Sequence, residues 1–95
     1  MLHPGTVIGN NCEIMSCVTI GNNILKDRDK VATVGNNVLI CSGARIIGEV
    51  NIADIVIIGA NAVVNKNVPA NVIVAGVPAK VIKELNQSDY IVNLQ

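Results

Sequence analysis

Branched aliphatic residues recur at every sixth position over most of this chain. Leu2, Ile8, Ile14 and Ile20 lie on one six-residue grid. The next step falls on Lys26, and the grid resumes as Val34, Ile40, Ile46, Ile52, Ile58 and Val64. Four residues after each of these, from Ile8 onward, stands a second apolar residue: Cys12, Val18, Ile24, Val38, Ala44, Val50, Val56, Ala62 and Val68. A period of six does not fit a 3.6-residue helix, but it is a multiple of the two-residue strand period. Both residues of each pair therefore point to one side of a short strand, and most are of the types that strands favour. Gly-Asn-Asn occurs at 9–11, 21–23 and 35–37, and these residue types supply tight corners. Strand and corner in fixed alternation describe a solenoid, in which each unit buries its apolar face by stacking on the next.

Composition supports a narrow interior. The 95-residue chain is 51% hydrophobic but holds no Trp, no Phe and one Tyr, so its core is built from Val, Ile, Ala and Leu. This length makes at most one small domain, marginal if it folds alone. The formal net charge is zero, with no basic block, which gives nucleic acid or an anionic membrane nothing to attract. No apolar run approaches the ~20 residues of a membrane helix, and the first residues do not read as a signal peptide. Cys12, Cys17 and Cys41 form an odd set without a CxxC pair. Reduced thiols in a cytoplasmic protein fit best, and no metal site is expected around the sole histidine, His3.

The grid is broken between Asn22 and Thr33 by about eight extra residues that carry Lys26, Asp27, Arg28, Asp29 and Lys30. A solenoid accommodates such an insertion by extruding it at a corner. Asn51 to Ile55 departs from the corner rhythm, which predicts an irregular turn there. Beyond Pro78, Ala79 to Leu85 contains good helix formers and predicts a short terminal helix, and Tyr90-Ile91-Val92 in the tail is suited to docking on a partner. The expected organisation is thus 1–78 for the solenoid, with its loop at about 22–33, and 79–95 for helix and tail.

Three phrases carry a resemblance: Val18-Thr19-Ile20-Gly21 before the charged loop, Gly43-Ala44-Arg45-Ile46-Ile47-Gly48 after it, and Val74-Ala75-Gly76-Val77-Pro78-Ala79-Lys80 near the end. Together with the grid they resemble the hexapeptide-repeat acyltransferases, nearest to the serine and polysaccharide O-acetyltransferases, from Leu2 to about Lys83. The resemblance implies an all-β, left-handed parallel β-helix and a homotrimer. It also implies transfer of acetyl from acetyl-CoA to a hydroxyl acceptor, serine or a sugar, with a histidine taking the acceptor's proton. On this basis the CoA contacts map onto Ser42, Gly43, Ala44, Gly59 and Ala60, with Lys66 and Lys80 near its phosphates.

His3 is the one candidate for the catalytic base. In serine acetyltransferases that histidine stands about one hexad further upstream of the VTIG phrase, so His3 is either the base or an N-terminal bystander. The Asp-Arg-His-Pro of their loop reads Asp27-Arg28-Asp29-Lys30 here, without the histidine that helps hold an amino-acid acceptor. The alternative to an active enzyme is a non-catalytic trimeric solenoid, or a truncated relic without the base. Two other uses of such a fold find no support. A γ-type carbonic anhydrase needs three zinc histidines, and an ice-binding solenoid needs threonine ladders where this chain has Thr6, Thr19 and Thr33.

Overall fold

The computed structural model describes residues 2–22 and 30–85. Strands β1 (Val7–Ile8), β2 (Glu13–Ile14) and β3 (Thr19–Gly21) form the first coil. The second is β4 (Thr33–Val34), β5 (Val38–Ile40) and β6 (Arg45–Ile47), and the third β7 (Asn51–Ile52), β8 (Val56–Ile58) and β9 (Val63–Val64). Val68 then bridges to Ile52, and β10 (Val72–Ala75) and β11 (Lys80–Glu84) complete the fold. Like positions of successive coils pair in parallel into three walls, β1-β4-β7, β2-β5-β8-β10 and β3-β6-β9, and β11 adds to the edge of the second. Ile40, Ile46 and Ile52 occupy three successive walls of one prism, as the six-residue grid requires.

Register confirms the size of the insertion. Thr19 pairs with Arg45, 26 positions on, whereas Arg45 pairs with Val63, 18 positions on. The first coil is thus eight residues longer. Residues 23–29 of the predicted loop, including the grid partner Ile24, lie outside the described residues. Ala32, buried beside Val34, begins the second coil in the place that Val50 takes in the third.

The interior is the grid itself. Ile20, Ile40, Ile46, Ile52 and Ile58 are fully buried, with Val34, Val38, Val56, Val64 and Ala44 around them. Each buried isoleucine contributes about 2–3 kcal/mol relative to exposure. The stack thins toward the N-terminal end, where Ile8 and Ile14 are only partly covered.

The corner between the β4 wall and the β5 wall explains the Gly-Asn-Asn phrase. Asn11, Asn37 and Asn71 adopt positive φ there, and so does Ile55 at 59°. Asparagine tolerates this conformation, whereas a β-branched residue is strained in it. The irregular turn expected at 51–55 is not found: Ile55 repeats the backbone of Asn37, and the pairs Val34–Ile52 and Val38–Val56 keep one register across the corner. The Asn36 side-chain oxygen accepts the Asn10 N–H at 2.8 Å, and an Asp54 oxygen accepts the Asn36 N–H at 2.7 Å. These side chains fold over Gly35 and its counterpart Gly9. A Cβ on Gly35 would lie 2.9 Å from the Ala53 carbonyl carbon, so glycine serves here for close approach.

The expected terminal helix is not formed. Lys80–Glu84 is strand β11, antiparallel to β10, with Val81 opposite Val74 and Lys83 opposite Ile73. Seven residues are too few to hold a helix by propensity, while the open edge of β10 offers a full set of backbone partners. Leu85 ends the run buried against Leu39 and Ile57, and its N–H donates to the Asn71 carbonyl at 2.7 Å. The Ala79 N–H donates to the Val63 carbonyl at 2.8 Å, so pairing continues past Pro78. The predicted tail, including Tyr90-Ile91-Val92, lies outside the described residues. Among the described residues no helix is long and apolar enough to cross a membrane.

Candidate functional site

The three corners of the prism differ in chemistry, and the predicted site residues divide among them. The asparagine corner, described above, is closed by its own side chains. A second corner joins the five-stranded wall to the β3-β6-β9 wall and stacks Ser16-Cys17, Ser42-Gly43 and Ala60-Asn61. The Gly43 N–H donates to the Ser16 carbonyl at 3.1 Å and the Asn61 N–H to the Ser42 carbonyl at 3.0 Å. The Ser16 and Ser42 hydroxyls are 3.5 Å apart. Among the described residues, neither the Ser42 nor the Ala60 N–H has a backbone partner. At Ser16, Ser42 and Ala60 this serine corner therefore presents small side chains, with two peptide donors that have no backbone partner, while Asn61 lies to one side over Gly43.

Gly43 has a structural task here, with φ at +78° and the Asn61 carboxamide packed where a Cβ would project. Gly59 lies beside Ala75, and an added Cβ would stand 3.1 Å from the Ala75 Cβ. Ala75 pairs with Lys80 across β10 and β11. Lys80 thus extends the row of Cys41, Gly59 and Ala75 and places an exposed ammonium at the end of this flank. Cys41 is partly covered; burial, aided by the Glu13 carboxylate, pushes its thiol up.

Two predicted residues are placed elsewhere. Ala44 is fully buried, so its side chain faces the core and lines no surface groove. Lys66 stands at the third corner, between the β6 wall and the β7 wall. It follows β9 as Gly48 follows β6, and Ile52 pairs with Val68 only sixteen positions on, so the turn that carries Lys66 is two residues short.

His3 is also on the third corner. Its N–H donates to the Ile20 carbonyl at 2.8 Å, and its Nδ1 accepts the Gly5 N–H at 3.0 Å. A neutral imidazole that accepts at Nδ1 carries its proton on Nε2. The strands of the β3-β6-β9 wall separate His3 from the serine corner of the same chain, a span of about 10 Å. Lys30 and Glu49 form an ion pair at 3.7 Å on this third corner, and both are well exposed, so the pair adds little stability. Among the described residues no three His, Cys, Asp or Glu side chains come together.

No protein-family profile matches the chain. The serine acetyltransferase of Buchnera aphidicola subsp. Schizaphis graminum (strain Sg) is 39% identical over 92 residues, covering 94% of this chain and 34% of that protein. A serine acetyltransferase solved in complex with CoA superposes with a TM-score of 0.77 at 34% identity, covering 85% of this chain and 32% of the other. The chain belongs to the hexapeptide-repeat acyltransferases. A galactoside acetyltransferase in complex with coenzyme A is a further structural neighbour in this family. Its TM-score is 0.74 and its identity 32%, and the match covers 93% of this chain and 50% of that one. The chain spans about a third of the length of the serine acetyltransferase it matches.

Proposed function

We propose that this chain is the left-handed, CoA-binding prism of an acetyl-CoA-dependent O-acetyltransferase that acts in the cytoplasm as a homotrimer. One observation carries the reading: the serine corner is a continuous flank of small residues with unpaired peptide donors and a lysine at its end. A pantetheine arm is slender and bears amides, so it suits such a flank, and its amide carbonyls would accept from the Ser42 and Ala60 N–H groups. Gly43 and Gly59 let the coils stack closely behind this flank, and Lys80 would meet phosphate as a point charge. The likeness to acetyltransferases solved with CoA supports the same assignment.

A trimer supplies what one prism lacks. A threefold arrangement would set the third corner of one subunit, with His3, Lys30 and Lys66, against the serine corner of its neighbour. Three cysteines without disulfides agree with a reducing compartment. Acyl transfer needs a base for the acceptor hydroxyl. The Nδ1 bond of His3 favours the second reading, a CoA-binding trimer without efficient transfer, because it occupies the ring nitrogen that would accept a proton.

The test is release of free thiol from acetyl-CoA in the presence of serine or a hexose, on the wild type and His3→Ala. Turnover that His3→Ala abolishes makes His3 the base. CoA binding without turnover establishes the second reading. Absence of CoA binding by a folded trimer overturns both.

A further inference from the structure

The third corner contains a groove separate from the serine corner. Thr33, Glu49, Val50, Asn51 and Asn67 line it, and its volume is about 330 Å³, at the low end of small-molecule sites. Its cause lies in coil length. Between Val64 and Val68 the chain turns in four residues instead of six, so the upper corner is drawn in over the one at Glu49-Val50. The short turn is pinned from below: the Asn67 side-chain oxygen accepts the Asn51 N–H at 2.8 Å, and the Val68 N–H donates to the Asn51 carbonyl at 3.0 Å. Thr33 and Asn51 are direct neighbours in register on the outer face of the β4-β7 pair, and both are exposed.

We propose that this groove binds a neutral polyhydroxylated ligand, such as a hexopyranose. The Thr33 hydroxyl and the Asn51 carboxamide each offer a donor and an acceptor side by side. With its oxygen committed to Asn51, Asn67 has its amide NH₂ left to donate. Glu49 adds an acceptor, and its charge is balanced by Lys30. Alternating donors and acceptors match vicinal hydroxyls, and the Lys30–Glu49 pair leaves the lining without net charge. The pairing departs from its eighteen-residue register where the groove forms, and Asn51, Glu49 and Asn67 have no part in the core. Calling the ligand an acceptor rests on the transferase reading; its binding does not.

The experiment is a titration of the whole ¹⁵N-labelled chain with glucose, and separately with serine, without CoA. Concentrations up to about 100 mM reveal a millimolar Kd. Saturable shifts at Thr33, Glu49, Asn51 and Asn67 with glucose are expected. Thr33→Val and Glu49→Gln, with otherwise unchanged spectra, should each weaken binding about three- to tenfold. Three results would overturn the proposal: no saturable shifts with glucose, shifts that both variants leave unaltered, or tighter binding of serine to the same amides.

Discussion

The asparagine corner and the serine corner have the same backbone course and opposite surfaces. At the first, Asn36 and Asp54 reach across to the coil alongside and occupy its peptide N–H groups. At the second, Ser42 and Ala60 hold the equivalent places and are too short to do so; their donors remain without backbone partners, and only Asn61 reaches across, over Gly43. A solenoid can thus close one flank with its own side chains and leave another chemically open. The open flank is where a ligand can take the place of the missing side chains.

Four perturbations sharpen that contrast, and the largest should be at Gly35. Gly35→Ala drives a methyl into backbone, 2.9 Å from the Ala53 carbonyl carbon and 3.0 Å from the Asp54 nitrogen. It should cost about 3 kcal/mol in urea unfolding. Gly59→Ala meets a methyl at 3.1 Å instead and should cost about 1 kcal/mol. Equal losses would remove the distinction between the flanks. Next in size is Asp54→Ala, which strips the acceptor from the Asn36 N–H and should cost about 1–2 kcal/mol. Ser42→Ala on the open flank should stay within about 0.5 kcal/mol.

Ile55→Asn should change stability by less than about 1 kcal/mol, although a half-buried aliphatic is lost. Relief of a positive φ, worth about 1–2 kcal/mol, offsets it. A loss of several kcal/mol would show that Ile55 is not strained.

The smallest effect concerns the two thiols nearest the open flank. Burial, with Glu13 adding, raises the Cys41 thiol above its ordinary value of 9.0. The folded chain keeps that proton where the unfolded chain releases it. The corresponding stability is therefore present below pH 9.0 and declines as pH rises through the raised folded value. Alkylation followed by peptide mapping should label exposed Cys17 before Cys41 at mildly alkaline pH. The reverse order would place Cys41 in the open.

The walls of the prism were legible because Ile20, Ile40, Ile46, Ile52 and Ile58 hold to one period and every one is buried. Ala44 belonged to the inward set by the same spacing, so its burial could have been read from the pattern that also made it a CoA candidate. The β11 strand was not legible. Lys80–Glu84 has no strand alternation of its own and takes its form from the edge that β10 leaves open. Nor does spacing show that Asn36 and Asp54 bond to a neighbouring coil, since that contact is made between residues 18 or 26 positions apart. The groove at Thr33 and Asn51 was not legible either: Val64 to Val68 is an ordinary step of the grid, and only the pairing of Val68 with Ile52 closes that turn two residues early.

The central claim is that the open serine corner, and not the closed asparagine corner, receives the coenzyme. Amide shift mapping of the labelled chain during a CoA titration tests it most directly. Perturbations centred on Ser42, Gly43, Gly59, Ala60 and Lys80 are predicted. Saturable shifts confined to Asn10, Asn36 and Asp54, or none at any site, would contradict the account.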